Sequence, residues 1–250
     1  MPQDIDAALR DLAPQGTVRA AINFGNAVLA QRHSGEARGV SVDIARELGR
    51  RLGVPVELVT FDAAGKVVDA TNEGVWDVAF LASDPKRAAE ILFSPPYLLI
   101  EGAYLVRDGS AISVPEQVDQ AGVRVGAGKG AAYELFLSRT LKHAQVERFS
   151  TALEAFQLLA EGRLDVAAGV RQVVGRFASD NGSMRVLSPS FMVIEQAVGT
   201  PAGRDAGARY LETFIEDLKR CGFVAEALDR SGQSDASVAP ARFAHCNAEA

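Results

Sequence analysis

The order of apolar segments along the chain constrains the fold most strongly. Short apolar runs typical of buried strands alternate with segments of helical period. In the first third of the chain, strands are predicted at residues 18–24, 55–61 and 77–81, with helices at 39–52 and 65–72 between them. This order of strand and helix predicts a parallel sheet with helices on its faces.

The pattern then starts again. Predicted strands lie at 123–127, 144–149 and 164–168, predicted helices at 131–141 and 152–160, and two closing helices at 204–220 and 223–229. Residues 73–80 read EGVWDVAF and residues 161–168 read EGRLDVAA, and a loop carrying Arg87 or Arg171 is expected after each strand. A second echo, IEGA at 100–103 and IEQA at 194–197, lies within long β-type runs. Repetition at this scale indicates two similar units.

Together the two pairs of similar segments predict two α/β lobes joined by two extended crossover strands. We expect the first lobe to comprise residues 1–104 plus 196–230, the second residues 105–195, and residues 231–250 to form a tail that is loose or lies over the surface. Ligands of open α/β sheets bind beyond the carboxyl ends of the strands. Two facing lobes with a double-strand hinge therefore predict a cleft that closes on a ligand.

Composition excludes several classes of function. Of the 250 residues 48% are hydrophobic, which is typical of a globular protein, and the net charge of -6 argues against nucleic acid as the main partner. No stretch is long enough to predict a membrane span. The three histidines and two cysteines, Cys221 and Cys246, have no zinc-site spacing, so we expect no metal and no cofactor. Whether the cysteines form a disulfide stays open.

Four segments resemble, in order, those of the bacterial extracellular solute-binding proteins of family 3, the polar amino-acid type. They are GVSVDIARELGRRLGV at 39–54, DVAFLASDPKRAAEILFSPPY at 77–97, VRVGAGKGAAY at 123–133 and GRLDVAA at 162–168. The resemblance implies a type II periplasmic-binding-protein fold, in which two lobes shut on a small ligand like a Venus flytrap. It also implies an ABC permease as partner, a monomer and a periplasmic location. The first 14 residues do not read as a secretory signal, so a cytoplasmic location stays an alternative.

The resemblance implies a ligand-carboxylate site. Arg87 aligns with the arginine that grips the carboxylate in a bidentate fork, and Ser83 aligns with a ligand-contacting hydroxyl. The loop GAGKG at 126–130 precedes a predicted helix, where free backbone N–H groups favour an anion. The expected contacts in this loop are Lys129, Gly130, Ala131 and Ala132, although an ordinary tight turn explains the loop equally well.

The sharpest departure from the family follows the strand at 164–168. The family's aspartate for the ligand α-amino group falls on Val170, and Arg171 comes next. Arg87, Arg171 and Lys129 together suit an organic anion such as a dicarboxylate, although a place for Arg171 at the lobe surface explains it equally well. Glu101 and Glu195, in the crossover strands, offer an alternative to an anion site. They could bind an ammonium group at a displaced position or form a hydrogen-bond network in the hinge.

Three residues of the first lobe complete the predicted site. Asn23 and Asn26 follow the first strand, where they suit either ligand contact or turn formation, and Phe80 suits a cleft wall.

Two other functions remain open at this point. Cyclohexadienyl or arogenate dehydratases resemble these binding proteins, and Glu101 or Glu195 could act as a general acid. No carboxylate pair, nucleophile–base pair or metal cluster is visible in the sequence, so we favour binding and predict no catalytic residue. A cytosolic ligand sensor is the third alternative, and it would need a partner protein to transmit a signal.

Overall fold

A computed structural model of the protein describes residues 4–233 and 236–242. The helices are α1 Ile5–Leu12, α2 Val40–Leu52, α3 Ala64–Asp69, α4 Ala132–Thr140, α5 Ala152–Ala160, α6 Arg171–Asn181, α7 Asp205–Arg220 and α8 Phe223–Arg230. The strands are β1 Val18–Asn23, β2 Gln31–His33, β3 Glu36–Arg38, β4 Val56–Phe61, β5 Val78–Ala82, β6 Ile91–Phe93, β7 Leu98–Arg107, β8 Arg124–Gly128, β9 Gln145–Phe149, β10 Val166–Val170, β11 Met184–Val186, β12 Met192–Pro201 and β13 Ser237–Val238.

One large sheet runs through both halves of the molecule in the order β4-β1-β5-β12-β7-β10-β8-β9. Strands β4, β1 and β5 are parallel to one another, as are β9, β8 and β10, and we call these two halves the first and second lobes. The strand order confirms the predicted α/β fold with a parallel arrangement in each half. Hairpin β2–β3, which the sequence analysis did not predict, forms a separate two-stranded sheet.

Strands β7 and β12 are the two crossover connections. They pair antiparallel from Met192 opposite Gly102 to Gln196 opposite Leu98. Beyond this central stretch, β7 continues along β10 and β12 continues along β5. Each crossover strand therefore belongs to both lobes, and the two predicted hinge strands are confirmed. The lobe limits at 104/105 and 195/196 stay a prediction.

The repeated Asp-Val-Ala motif has a structural cause. Asp77, with a fully buried side chain, accepts hydrogen bonds from the backbone N–H of Arg19 (3.1 Å) and from its Nε (2.8 Å). Asp165 accepts in the same way from the N–H (2.9 Å) and Nε (3.1 Å) of Arg124. In each lobe the aspartate thus fixes the start of the neighbouring strand, β1 or β8, through one arginine.

The expected loops after the two inner strands differ from the structure. Arg87 begins a short 3-10 turn, Arg87–Ala89, and Arg171 is the first residue of helix α6, directly after β10. Helix α6 was not predicted, since no side chain caps its N-terminus and Gly175 lies in its interior.

The described part of the tail lies against the first lobe. Strand β13 pairs with β7, and the Arg242 N–H donates to Glu216 Oε2 (2.8 Å). Cys221 is an exposed free thiol, whereas Cys246 lies outside the described residues. Across 4–233 and 236–242, no helix has the length and apolar character needed to cross a membrane.

Candidate ligand-binding site

A cavity of about 530 Å³ lies between the two lobes, at the carboxyl ends of the inner strands. The first lobe contributes residues after β1, the end of β5 and the turn that follows it. The second lobe contributes the loop before α4 and the start of α6, and β12 closes the base. Representative lining residues are Asn23, Asn26, Phe80, Ala82, Arg87, Lys129, Ala131, Ala132, Tyr133, Val170, Gln172, Val173, Ile194 and Gln196.

Arg87 supplies a buried positive charge to this cavity. Arg87 is only 2% exposed. Its guanidinium donates from Nη1 to the Ala82 carbonyl (2.7 Å) and from Nη2 to the Gly130 carbonyl (2.8 Å). Burial lowers the pKa of Arg87 to about 10, against the opposing effect of nearby Asp84 and Glu134, so the group is cationic at neutral pH.

Neither neighbouring carboxylate pairs with Arg87. Asp84 pairs with Arg139 (2.9 Å), and Glu134 pairs with Arg148 (2.7 Å). The guanidinium is therefore a buried cation whose hydrogen bonds go to neutral carbonyl oxygens.

Unpartnered polar atoms cluster at the cavity. Among the described residues, the buried side-chain nitrogen and oxygen atoms without a hydrogen-bond partner are Arg87 Nε, Gln172 Oε1 and Gln196 Oε1. All three residues line the cavity. Each unsatisfied buried polar group costs about 1–3 kcal/mol, and such groups are rare in folded proteins. A ligand that accepts from Arg87 and donates to the two glutamines would satisfy all three atoms.

The two glutamines reach the cavity from different elements. Gln196, 4% exposed, lies in β12 directly opposite Ala82 of β5, whose carbonyl binds Arg87. Gln172 is the second residue of α6 in the second lobe. Neither glutamine was predicted.

Two backbone N–H groups of the predicted anion loop already donate hydrogen bonds to acceptors within the protein. The Gly130 N–H donates to Glu134 Oε2 (2.9 Å), and the Ala131 N–H donates to the Gly128 carbonyl (3.1 Å). Glu134 lies in the first turn of α4 and is 3% exposed, so a buried carboxylate of the protein already accepts the Gly130 N–H. Ala131, Ala132 and the exposed Lys129 line the cavity.

The structure brings three other predicted residues to the cavity. Asn23 and Asn26 line it, although each Oδ1 accepts a backbone N–H within its own loop, from Gly25 (2.9 Å) and Val28 (3.1 Å). Phe80 also lines it and packs edge-to-face on Tyr97, with ring centroids 6.2 Å apart. The asparagines thus form the turn and border the cavity as well.

Five predicted residues lie outside the cavity lining: Ser83, Glu101, Gly130, Arg171 and Glu195. Arg171 donates from Nε to Glu101 Oε2 (2.5 Å), and Ser190 Oγ donates to the same oxygen. The Arg171 side chain turns back to β7 and joins the hinge there. Glu195 is exposed, and its carbonyl accepts the Ser83 N–H (2.9 Å). The expectation that Arg171 and Arg87 face a common anion therefore differs from the observed geometry.

The lobes touch at the mouth of the cavity. Arg87 of the first lobe donates to Gly130 of the second, and Asp84 pairs with Arg139 of α4. Gly65 of α3 lies so close to the second lobe that a Cβ there would sit 2.6 Å from the Lys129 carbonyl oxygen. This close approach requires glycine, and it brings the two lobes into contact beside the cavity.

Comparison with known proteins agrees with this architecture. The L-cystine-binding protein TcyJ of Escherichia coli (strain K12) is 24% identical over 200 residues, covering 77% of this chain and 73% of TcyJ. The probable ABC transporter arginine-binding protein ArtJ of Chlamydia trachomatis is 24% identical over 204 residues, covering 79% of this chain and 78% of ArtJ. Both relatives are named as binding proteins.

Two solved structures show the same fold. An amino acid ABC transporter substrate-binding protein from Streptococcus pneumoniae bound to L-arginine has a TM-score of 0.76 at 20% identity, covering 93% of this chain and 99% of that one. The ancestral amino acid-binding protein AncCDT-1, a precursor of cyclohexadienyl dehydratase, has a TM-score of 0.75 at 21% identity, covering 89% and 97%. The family model of the bacterial extracellular solute-binding proteins, family 3, matches residues 26–233. The chain belongs to this family and is a solute-binding protein with the two-lobed fold that its sequence predicts.

Proposed function

We propose that this protein is the receptor of an ABC-type uptake system and that its ligand is a small carboxylate, an amino acid or a related organic acid. The names of its relatives support this class of ligand, since TcyJ and ArtJ are described as binding cystine and arginine. We place the protein outside the cytoplasm because the family is described as extracellular, and its partner would be an ABC permease.

The unpaired guanidinium of Arg87 is the observation that carries the proposal. Its Nε lacks a partner, and the residue borders the cavity. A carboxylate matches the planar fork of a guanidinium and forms short charge-assisted hydrogen bonds with it. A bound carboxylate would satisfy Nε and neutralise the buried charge of Arg87.

Binding and lobe closure are linked through the same residue. Arg87 touches the second lobe through the Gly130 carbonyl, so a ligand that rests on Arg87 reaches both sides of the cleft. We propose that the lobes comprise residues 1–104 plus 196–230 and residues 105–195, with the hinge in β7 and β12. Closure would then signal occupancy to the permease.

We propose binding without catalysis. The two carboxylates considered as general acids, Glu101 and Glu195, lie outside the cavity lining. A general acid must come within hydrogen-bond reach of the atom that it protonates. Their positions therefore favour a receptor over a dehydratase.

Matched pairs of free acids and their methyl esters test the proposal on the unmodified protein. A ligand at 100 times its Kd adds about 2.7 kcal/mol of stability, which raises the melting temperature measurably. We expect at least one free amino or organic acid in a broad panel to raise the melting temperature, with binding confirmed by calorimetry, and its ester to have no effect. Esters that bind as tightly as the acids, or a panel without any binding acid, would contradict the carboxylate assignment.

A further inference from the structure

We infer that the ligand carries its only formal charge on the carboxylate and presents a neutral amide-type group, such as an N-acyl or N-carbamoyl group, to Gln172 and Gln196. This inference rests on the proposed function, because it takes Arg87 as the carboxylate site. It concerns the opposite end of the ligand, where an α-amino acid would carry its ammonium.

In the part of the chain that the structure describes, the buried charge in the lining of the cavity is positive and has no buried negative charge to balance it. Of the described residues that line the cavity, five are charged, and among these Arg87 is the buried one. Asp62, Lys129, Arg176 and Asp180 are exposed at the rim. Asp62 pairs with a neighbouring lysine (2.9 Å), and Arg176 lies 4.0 Å from Asp180. Within the described ranges, no buried carboxylate lines the cavity.

This distribution disfavours a buried ammonium. A ligand carboxylate cancels the charge of Arg87, and an added ammonium would leave one positive charge without a buried partner. Burying an unpaired charge costs several kcal/mol, whereas a neutral amide needs only its hydrogen bonds. At the position where the sequence analysis expected the family's aspartate, the cavity is lined by Val170, which is 7% exposed.

The start of α6 adds to this preference. Val170, Gln172 and Val173 all line the cavity, so the N-terminus of this 11-residue helix faces it. No side chain caps the helix, and its first turn holds no acidic residue. A helix N-terminus carries a partial positive charge and free N–H donors, which repel an ammonium and suit a carbonyl oxygen.

An amide-type group matches both sets of atoms. Its carbonyl can accept from the N–H groups at the start of α6, and its N–H can donate to one of the unpartnered Oε1 atoms of Gln172 and Gln196, while the terminal NH2 of a carbamoyl group can donate to the other. A cavity of about 530 Å³ leaves room for an acyl or carbamoyl substituent, since small-molecule sites span roughly 300–1,000 Å³.

Calorimetry with matched ligands tests the inference on the full chain. For each of a panel of amino acids, the free amino acid, its N-acetyl derivative and its N-carbamoyl derivative are titrated into the protein, with dicarboxylates alongside. We expect at least one N-acetyl or N-carbamoyl derivative to bind tenfold or more tightly than its parent and than any dicarboxylate. Parents that bind as tightly as their derivatives, or dicarboxylates that bind best, would overturn the inference and leave the proposed function intact. Failure of every carboxylate would overturn both.

One substitution tests the part played by Gln172. Gln172→Glu adds a carboxylate at nearly constant volume, so it should shift the preference tenfold or more towards the free amino acid. Gln145→Glu, at an exposed position of β9, is the matched control and should leave the ranking unchanged. An unchanged ranking in the Gln172→Glu protein would contradict a role of this side chain at the nitrogen end of the ligand.

Discussion

Arg87→Ala is expected to weaken ligand binding far more than it weakens folding. The substitution removes the buried cation of the cavity, and a ligand carboxylate would then be desolvated without a partner. Truncating one member of a buried, hydrogen-bonded charge pair costs about 2–5 kcal/mol, which corresponds to a loss of affinity of about 30-fold to several thousand-fold.

The folded protein should tolerate this change. Arg87 donates to two carbonyls, but its Nε is unsatisfied and its charge has no ion-pair partner, so its burial is costly without a ligand. Thermal unfolding is measured first, to show that the variant is folded, and calorimetry then gives the affinity for a carboxylate found with the wild-type protein.

Arg176→Ala is the matched control, because Arg176 also borders the cavity but its side chain is 84% exposed. Its affinity should stay within about twofold, as exposed charges contribute little. If a folded Arg87→Ala protein binds within about threefold of wild type, the assignment of Arg87 as the carboxylate site is refuted.

Two further substitutions and one pH dependence follow from the ion pairs. Arg139→Ala removes the pair with Asp84 between the lobes, and because Arg139 is 46% exposed, we expect only a two- to fivefold loss of affinity, about 0.5–1 kcal/mol. Calorimetry checks this loss, and small-angle scattering should show a more open ligand-free protein; unchanged values in both would contradict a role in closure. Asp77→Asn leaves the largely buried guanidinia of Arg19 and Arg204 unpaired, and should lower the free energy of unfolding by about 3–5 kcal/mol in urea denaturation. A loss below about 1 kcal/mol would contradict the importance of this cluster. Burial alone would raise the pKa of Asp77, but hydrogen bonds from Arg19 and Arg204 hold it below its usual range. The stabilisation by ionised Asp77 is therefore complete above about pH 4 and is lost as the pH falls further. The difference in unfolding free energy between wild type and the Asp77→Asn variant should therefore be smaller in acid than at neutral pH.

Much of the fold follows from the sequence, because most of the inner strands are continuous apolar runs. Strand β1 matches the predicted run at 18–24 to within one residue, and α5 has the predicted limits, 152–160. Helix α6 could not be predicted in the same way, as its N-terminus has no capping residue and its sequence includes a glycine. Tertiary packing against β10, β11 and β7 stabilises this helix instead.

The site was only partly predictable. The resemblance pointed to Arg87, but none of the four segments that carry it reaches Gln196. Side chains alternate between the two faces of a strand, so Glu195 and Gln196 point in opposite directions. The buried Ile194 identifies the inner face of β12 and hence Gln196, two positions on, as the polar group inside. Arg171 was placed in the site because sequence does not show towards which element the first side chain of a helix turns.

A crystal structure with a bound carboxylate, found in the ligand screen, tests the central claim most directly. We predict a carboxylate oxygen about 3 Å from Arg87 Nε, between closed lobes. A ligand whose carboxylate lies elsewhere, with Arg87 bound only to the Ala82 and Gly130 carbonyls, would contradict the account.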